Sequence, residues 1–269
     1  MKRIALYRLH YGFEYLYKSI QSIHNWADEI VVVISREPWF KKPVVNYQGN
    51  NVELHHPEDV DYHYRCLNLI PKVTAVFREH GSTWDHWGTI IREFRSDYDF
   101  VLTVECDMVF HDYNQLYEIE KYTTEKYPVA MCHQIEYWKN EFWRIAPRPN
   151  RVGPVMYKKP PDHLVTERNN MPHKKQRRGS DSVFWVRKDE PKTSLCFVKN
   201  YGFCWSPEVT FYKHLLALGS SRDEGEDTPP DENWFDLWYG WIPEDLNLEI
   251  PVGYQNRIKK AYLCEEYTE

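Results

Sequence analysis

Glu105 and Asp107 stand two residues apart where a short apolar run, Phe100 to Val104, gives way to Cys106, Met108, Val109 and Phe110. A run so rich in apolar and β-branched residues reads as a buried strand, and a buried strand delivers its last side chains to a sheet edge. Ligands gather at such edges in open α/β sheets. With period-two alternation the two carboxylates point one way and Cys106 points into the opposite layer. Two hard oxygen ligands on one side suit Mg²⁺ or Mn²⁺, which bind a few carboxylates and leave positions open for phosphate oxygens. The alternative is a pair of solvated acids closing a strand.

The elements that must position this pair begin at the N-terminus. Residues 4–9 form a short apolar strand, Phe13, Leu16, Tyr17, Ile20 and Ile23 recur at helical spacing, and residues 28–34 open a second strand. This β-α-β unit builds a parallel sheet, with its first turn at the carboxyl edge where nucleotides sit. That turn, residues 8–14, has neither the glycine-rich dinucleotide fingerprint nor the P-loop pattern, which disfavours a Rossmann dehydrogenase and an ATPase. A third short strand is expected over 52–54, a helix over 62–80 with a break near Pro71, a second helix over 84–96, and an amphipathic helix over 114–126.

The second half reads differently. Short strands are expected over 129–138, 142–146 and 152–157, with aromatic residues and Pro-rich corners. Residues 168–180 form a polar loop with five Lys and Arg residues, charged enough to cover a diphosphate or touch a polyanion, or simply solvated. Ser206, Pro207 and Glu208 supply an N-cap, a first-position Pro and a first-turn acid for a helix reaching Gly219. An acidic loop over 223–233 and an aromatic segment over 234–241 follow.

At 269 residues the chain can bury a large core, and one α/β domain is the simplest organisation. A net charge of -6 provides no global positive field for nucleic acid or an anionic membrane. Six scattered cysteines with no Cys-x-x-Cys pair suggest neither a zinc site nor a disulfide framework, and reduced thiols in a cytoplasmic protein are expected. Nowhere do about 18 apolar residues run together, so no transmembrane segment is expected. Aromatic residues make up 16% of the chain, an excess that tilts toward a carbohydrate or base ligand while also serving ordinary packing.

A β-α-β start, a second strand marked Asp28-Glu29-Ile30-Val31-Val32-Val33, and an acid-x-acid after an apolar strand about 70 residues later form one order. It resembles the GT-A glycosyltransferases, specifically the family 2-like group of bacteria and their phages. Glu14 fills the place of that group's first-turn glutamate, and residues 101–110 fill its acid-x-acid strand, with Glu105 where the family usually has Asp. Residues 200–213, with an aromatic-Gly, then Ser, then a helix carrying Lys, look like a later segment of the group, although a metal-binding His common there is missing. The resemblance covers residues 1 to about 112 specifically and the rest loosely.

It implies a GT-A (Rossmann-like) α/β fold whose mostly parallel sheet is flanked by helices, with a C-terminal acceptor-side region of short strands and helices. Residues 1–112 would be the nucleotide-sugar-binding half and 113–269 the acceptor-binding half of one domain. The implied reaction moves a sugar from a nucleoside diphosphate donor, a UDP-sugar by preference, to a hydroxyl acceptor, assisted by Mn²⁺ or Mg²⁺ on Glu105 and Asp107. Tyr7, Arg8, Glu14 and Ser35 lie where base and ribose would be read, and Trp138, with Trp143 and Trp205, could offer a sugar platform. An inverting transferase needs a carboxylate base for the acceptor proton, and Asp181 and Glu136 are the candidates. A saccharide acceptor is favoured. DNA bearing hydroxymethylated pyrimidine, a nucleotidyltransferase, and a non-catalytic carbohydrate-binding protein are the competing readings.

Overall fold

The computed structural model describes residues 1–38, 43–79, 90–123, 129–144, 151–159, 183–185, 197–224, 231–242, 249–252, 257–260 and 262–263. Strand β1 (Arg3–Leu9) buries all but its two arginines, because it is walled on both faces and paired in parallel on both sides, with β2 (Glu29–Ile34) and β6 (Phe100–Glu105). Between β1 and β2 runs helix α1 (Phe13–Ile23), whose apolar stripe Phe13, Leu16, Ile20 and Ile23 packs with Tyr7, Leu9 and Val104. Each of those side chains contributes roughly 1.5–3 kcal/mol by leaving water. This unit matches the expectation from spacing.

The helix expected over 62–80 is instead a helix, α2 (Val60–Leu67), followed by a strand. Lys72 at φ 65 turns the chain, and β5 (Val73–Phe77) pairs in parallel with β2. The β-branched, aromatic Val-Thr-Ala-Val-Phe sequence fits a pleated, half-buried surface better than a helix. The strand expected over 52–54 joins a separate hairpin, β3 (Val44–Tyr47) with β4 (Asn50–Glu53), turned by Gln48 and Gly49 at positive φ. Of the helix expected over 84–96, residues 90–94 are helical and 84–89 lie outside the described residues.

On the far side of β6 the sheet continues in antiparallel steps through β10 (Arg151–Lys158), β8 (Val129–Trp138), β9 (Asn140–Arg144) and β15 (Tyr262–Leu263). Two strands, β11 (Val183–Trp185) and β12 (Phe197–Asn200), run parallel to β8, and β12 also pairs antiparallel with β7 (Met108–Phe110). A further hairpin joins β13 (Glu249–Val252) to β14 (Arg257–Lys260). The protein is therefore an α/β fold whose parallel core β5-β2-β1-β6 sits beside helices and is extended by an antiparallel wing. Residues before and after 112 share this one sheet.

Three more helices complete the described structure: α3 (Asn114–Tyr122), α4 (Pro207–Glu224) and α5 (Trp234–Gly240). The hydroxyl of Ser206 accepts from Val209 N at 3.4 Å, the N-cap expected there, but α4 continues five residues past Gly219. Against β8 and β9 the aromatic segment forms its own core of Trp138, Trp143, Phe203, Trp234, Trp238 and Trp241. No helix among the described residues is long and apolar enough to cross a membrane.

Candidate functional site

The carboxyl edge of the parallel core carries two groups of acids. The first surrounds the turn after β1. Gly12 takes φ 92 at the start of α1, which has no cap from its own sequence, and the Glu58 carboxylate supplies one from outside. It accepts from Gly12 N at 2.7 Å and Phe13 N at 2.8 Å. A helix N-terminus is the natural seat for a phosphate. Here the chain's own carboxylate occupies it.

The loop after β2 repeats the arrangement. Glu79 accepts from the Ser35 hydroxyl at 2.7 Å, Arg36 N at 2.9 Å and Glu37 N at 3.1 Å. Partial burial pushes this carboxyl up, but the three hydrogen bonds outweigh that and leave it below its ordinary value. Beneath it His10 is buried between the Ser35 carbonyl at 2.9 Å and the Tyr212 hydroxyl at 2.8 Å. The carbonyl can only accept, so Nδ1 of His10 carries the proton and Nε2 accepts from Tyr212.

The second group lies where β6 ends. Glu105 is its last residue, and Cys106 and Asp107 form the turn into β7, so the turn rather than strand alternation brings the two acids together. Cys106 does face the other layer, in the core under α1. The Glu105 side chain is half exposed and pairs with the guanidinium of Arg8, its register partner on β1, at 3.7 Å. Asp107 is buried. Burial first, and then repulsion from Glu105, push its carboxyl up to about 7, with Lys213 opposing and Glu136 adding to the shift.

Two residues of the β12 region and one from α4 close around Asp107. Asn200 donates to the Asp107 carboxylate at 3.4 Å and accepts from Gly202 N at 3.1 Å, while Lys213 on α4 donates to the Gly202 carbonyl at 2.7 Å. A Cβ at Gly202 would lie 2.9 Å from Asp107 Oδ2 and 3.0 Å from Asn200 Oδ1. Only glycine leaves that carboxylate its place. Glu136, buried on β8, is the register partner of Asn200. Asn200, Gly202 and Lys213 lie in the 200–213 segment that carries part of the resemblance, but the sequence reading assigns them no site role. Their signal was a polar Asn-x-Gly ending a strand and a lone lysine on an otherwise packed helix.

The structure thus brings Arg8, Glu105, Asp107 and Glu136 to one edge, and it places other expected site residues elsewhere. Tyr7 is in the core, its hydroxyl 2.9 Å from Ser19, and does not reach the edge as a base-reading group would have to. Ser35 is buried and engaged with Glu79. Glu14 accepts from Ser206 N at 3.0 Å and so ties α1 to the start of α4. Trp138 is fully buried inside the aromatic core, so packing accounts for it and no sugar platform forms there. Trp143 lies in the same core, and Trp205 packs edge-on to Tyr11. Asp181 and the basic loop 168–180 lie outside the described residues.

For a divalent cation the donor set is two carboxylates. No group of three His, Cys, Asp or Glu side chains converges among the described residues. Two mutually repelling carboxylates, one buried, in a cradle that a Cβ would fill, still fit Mg²⁺ or Mn²⁺, ions that take remaining ligands from water and phosphate.

No family model and no curated protein matches the chain. Among solved structures it is similar to residues 1–349 of TarS from S. aureus, at 11% identity and a TM-score of 0.43, over 88% of this chain and 69% of that one. It is similar to the mannosyltransferase PcManGT from Pyrobaculum calidifontis, solved with GDP-Man and Mn²⁺, at 8% identity and a TM-score of 0.45, over 88% and 68%. A 4-diphosphocytidyl-2C-methyl-D-erythritol synthase from Anaerococcus prevotii aligns at 11% identity and a TM-score of 0.39, over 78% and 94%. Likeness this distant leaves the chemistry to be read from the residues themselves.

Proposed function

We propose that the chain is a GT-A-type glycosyltransferase that moves a sugar from a nucleoside diphosphate donor to a hydroxyl acceptor, with a divalent cation held by Asp107 and Glu105. The observation that carries this reading is Asp107, a buried carboxylate pushed up by burial and by Glu105 at the carboxyl edge of a parallel sheet. Burying an acid this way costs stability, and a ligand bringing positive charge offsets that cost. When bound, the cation neutralises charge on the departing diphosphate. Arg8 holds Glu105 through the 3.7 Å ion pair and keeps it at the edge.

Glu136 supports the role of base in an inverting transfer better than a surface acid would. It is buried beside Asn200 and close enough to Asp107 to repel it, so it can take a proton at its carboxylate from an acceptor hydroxyl held at this edge. Asp181 is the other candidate. A saccharide acceptor and a UDP-sugar donor are the favoured substrates. A nucleotidyltransferase is less well supported, since its first turn must hold phosphates and here that turn is filled by the negative Glu58.

The test is turnover of UDP- and GDP-sugars with Mn²⁺ and with EDTA, alongside thermal shifts with the free nucleoside diphosphates, which raise the apparent stability of a protein that binds them. Metal-dependent release of nucleoside diphosphate, lost in Asp107→Asn, is the expected result. Neither turnover nor a thermal shift with any of them would overturn the reading.

A further inference from the structure

Lys213 projects from α4 beside the acid pair. Its helix is anchored by the buried side chains of Val209, Tyr212 and Leu216, so the ammonium is delivered by a packed element. It donates to the Gly202 carbonyl at 2.7 Å and lies 4.3 Å from the centroid of the Trp205 ring. The missing Cβ of Gly202 marks a point 2.9 Å from Asp107 Oδ2 and 3.5 Å from Lys213 Nζ. One small volume is therefore bordered by a carboxylate that fits a metal and by an ammonium that fits a phosphate.

Trp205 flanks the ammonium with its ring face. Its ring is buried between Lys213 and the first turn, with Cζ2 3.0 Å from the Cβ position of Gly12. Its Nε1–H, a donor only, has no hydrogen-bond partner in the described structure.

Charge count points the same way. With Asp107 ionised, as it must be to hold a cation, Glu105, Asp107 and Glu136 oppose Arg8 and Lys213, one net negative charge among the described residues at this edge. A donor diphosphate brings two more, and a divalent cation cancels only those. Without Lys213 the occupied edge would carry a further negative charge.

We propose that Lys213 is the second cation of the donor site and touches the diphosphate directly, so that the site holds a nucleoside diphosphate weakly even with no divalent metal. This rests on the donor reading above. An ammonium has three donors, so the bond to Gly202 and one to a phosphate oxygen can coexist. The competing role is structural, a tie between α4 and the 200–205 turn.

Calorimetric titration of the full chain with UDP, GDP and inorganic pyrophosphate, in EDTA and in Mn²⁺, separates the two. The wild-type protein binds at least one of these in EDTA, more weakly than in Mn²⁺. Lys213→Met lowers that metal-free affinity by about tenfold or more, the size of one charge-assisted hydrogen bond, and Lys213→Arg restores most of it. Mn²⁺ affinity, read by electron paramagnetic resonance without nucleotide, holds or rises in Lys213→Met because a positive charge has left the carboxylates. Wild-type affinity of Lys213→Met in EDTA, failure of arginine to rescue, or a wild-type protein that binds only with Mn²⁺ each overturns the proposal. No binding of any probe under either condition overturns the donor reading instead.

Discussion

The two acidic groups along one sheet edge are built to opposite ends. At the β1–β2 side, Glu58 and Glu79 each receive backbone N–H groups and spend their charge on folding two loops of their own chain. At the β6–β12 side, Asp107 is buried beside Glu105, with an amide at 3.4 Å and an ammonium nearby. Carboxylates answered by backbone donors make structure. Carboxylates crowded together in a cradle without a Cβ are the ones to which the proposed function assigns a ligand.

Exchanging the loss between the two sides is the sharpest way to break this contrast. Asp107→Asn should cut nucleotide-sugar turnover by about 10²-fold or more, the scale of losing one preorganised charge on a leaving group. The same variant should be more stable than wild type at pH 8 without metal. A carboxyl raised from its ordinary value to about 7 leaves the native state holding its proton longer, so stability falls as pH climbs from about 4 to 7. Equal turnover, or an apo protein that melts earlier at pH 8, would put Asp107 with the structural acids.

Gly202→Ala tests the cradle. Its Cβ would press on Asp107 Oδ2 at 2.9 Å, and glycine there is not at positive φ, so the harm comes from the contact and not from backbone strain. Mn²⁺ affinity should drop by roughly tenfold on the scale of one displaced ligand. Gly49→Ala is the control, with open space around it and only the strain of φ 79 to pay. Its metal affinity should stay at the wild-type level.

Glu58→Ala belongs to the other side. Removing the acceptor for Gly12 N and Phe13 N should cost about 1–2 kcal/mol of stability by denaturant titration, as losing a helix cap does, with turnover within about threefold of wild type. A large kcat loss at unchanged stability would instead mean that the first turn handles phosphate.

Much of this edge was legible in the residues. The apolar run ending in Glu105 fixed a buried strand, and the stripe from Phe13 to Ile23 fixed the helix that covers it, because periodicity reports burial directly. What escaped had a longer range. Nothing local tells that Glu58 caps a helix 45 residues earlier, or that Glu14 accepts from Ser206. Tyr7 and Trp138 were misplaced for a related reason. A polar-tipped aromatic reads equally as core or as platform until its neighbours are known, and Ser19 and the tryptophan cluster are what fix them. The 73–77 strand was hidden by helical spacing that ran on through Pro71, although its β-branched residues suit the pleated surface that pairing with β2 provides.

The smallest effect comes from His10, which binds the two loops together under the structural acids. Burial holds its imidazole down to about 4, below the ordinary value of 6.5, in the neutral form that Ser35 and Tyr212 require. A depressed histidine contributes stability that is fully present above 6.5 and is lost as pH falls toward 4, because the unfolded chain then binds the proton first. His214 is shifted the same way and to about the same value, and burial lowers His63 too, so the acid limb is shared among three histidines of the described residues. His10→Gln should therefore flatten part of the fall in stability, by about 1 kcal/mol between pH 7 and 5.5, and leave the rest to His214 and His63. An unchanged slope in that interval would mean that the β1–β2 side opens to water more than its hydrogen bonds imply, and the contrast between a sealed structural edge and the edge proposed to hold a ligand would weaken with it.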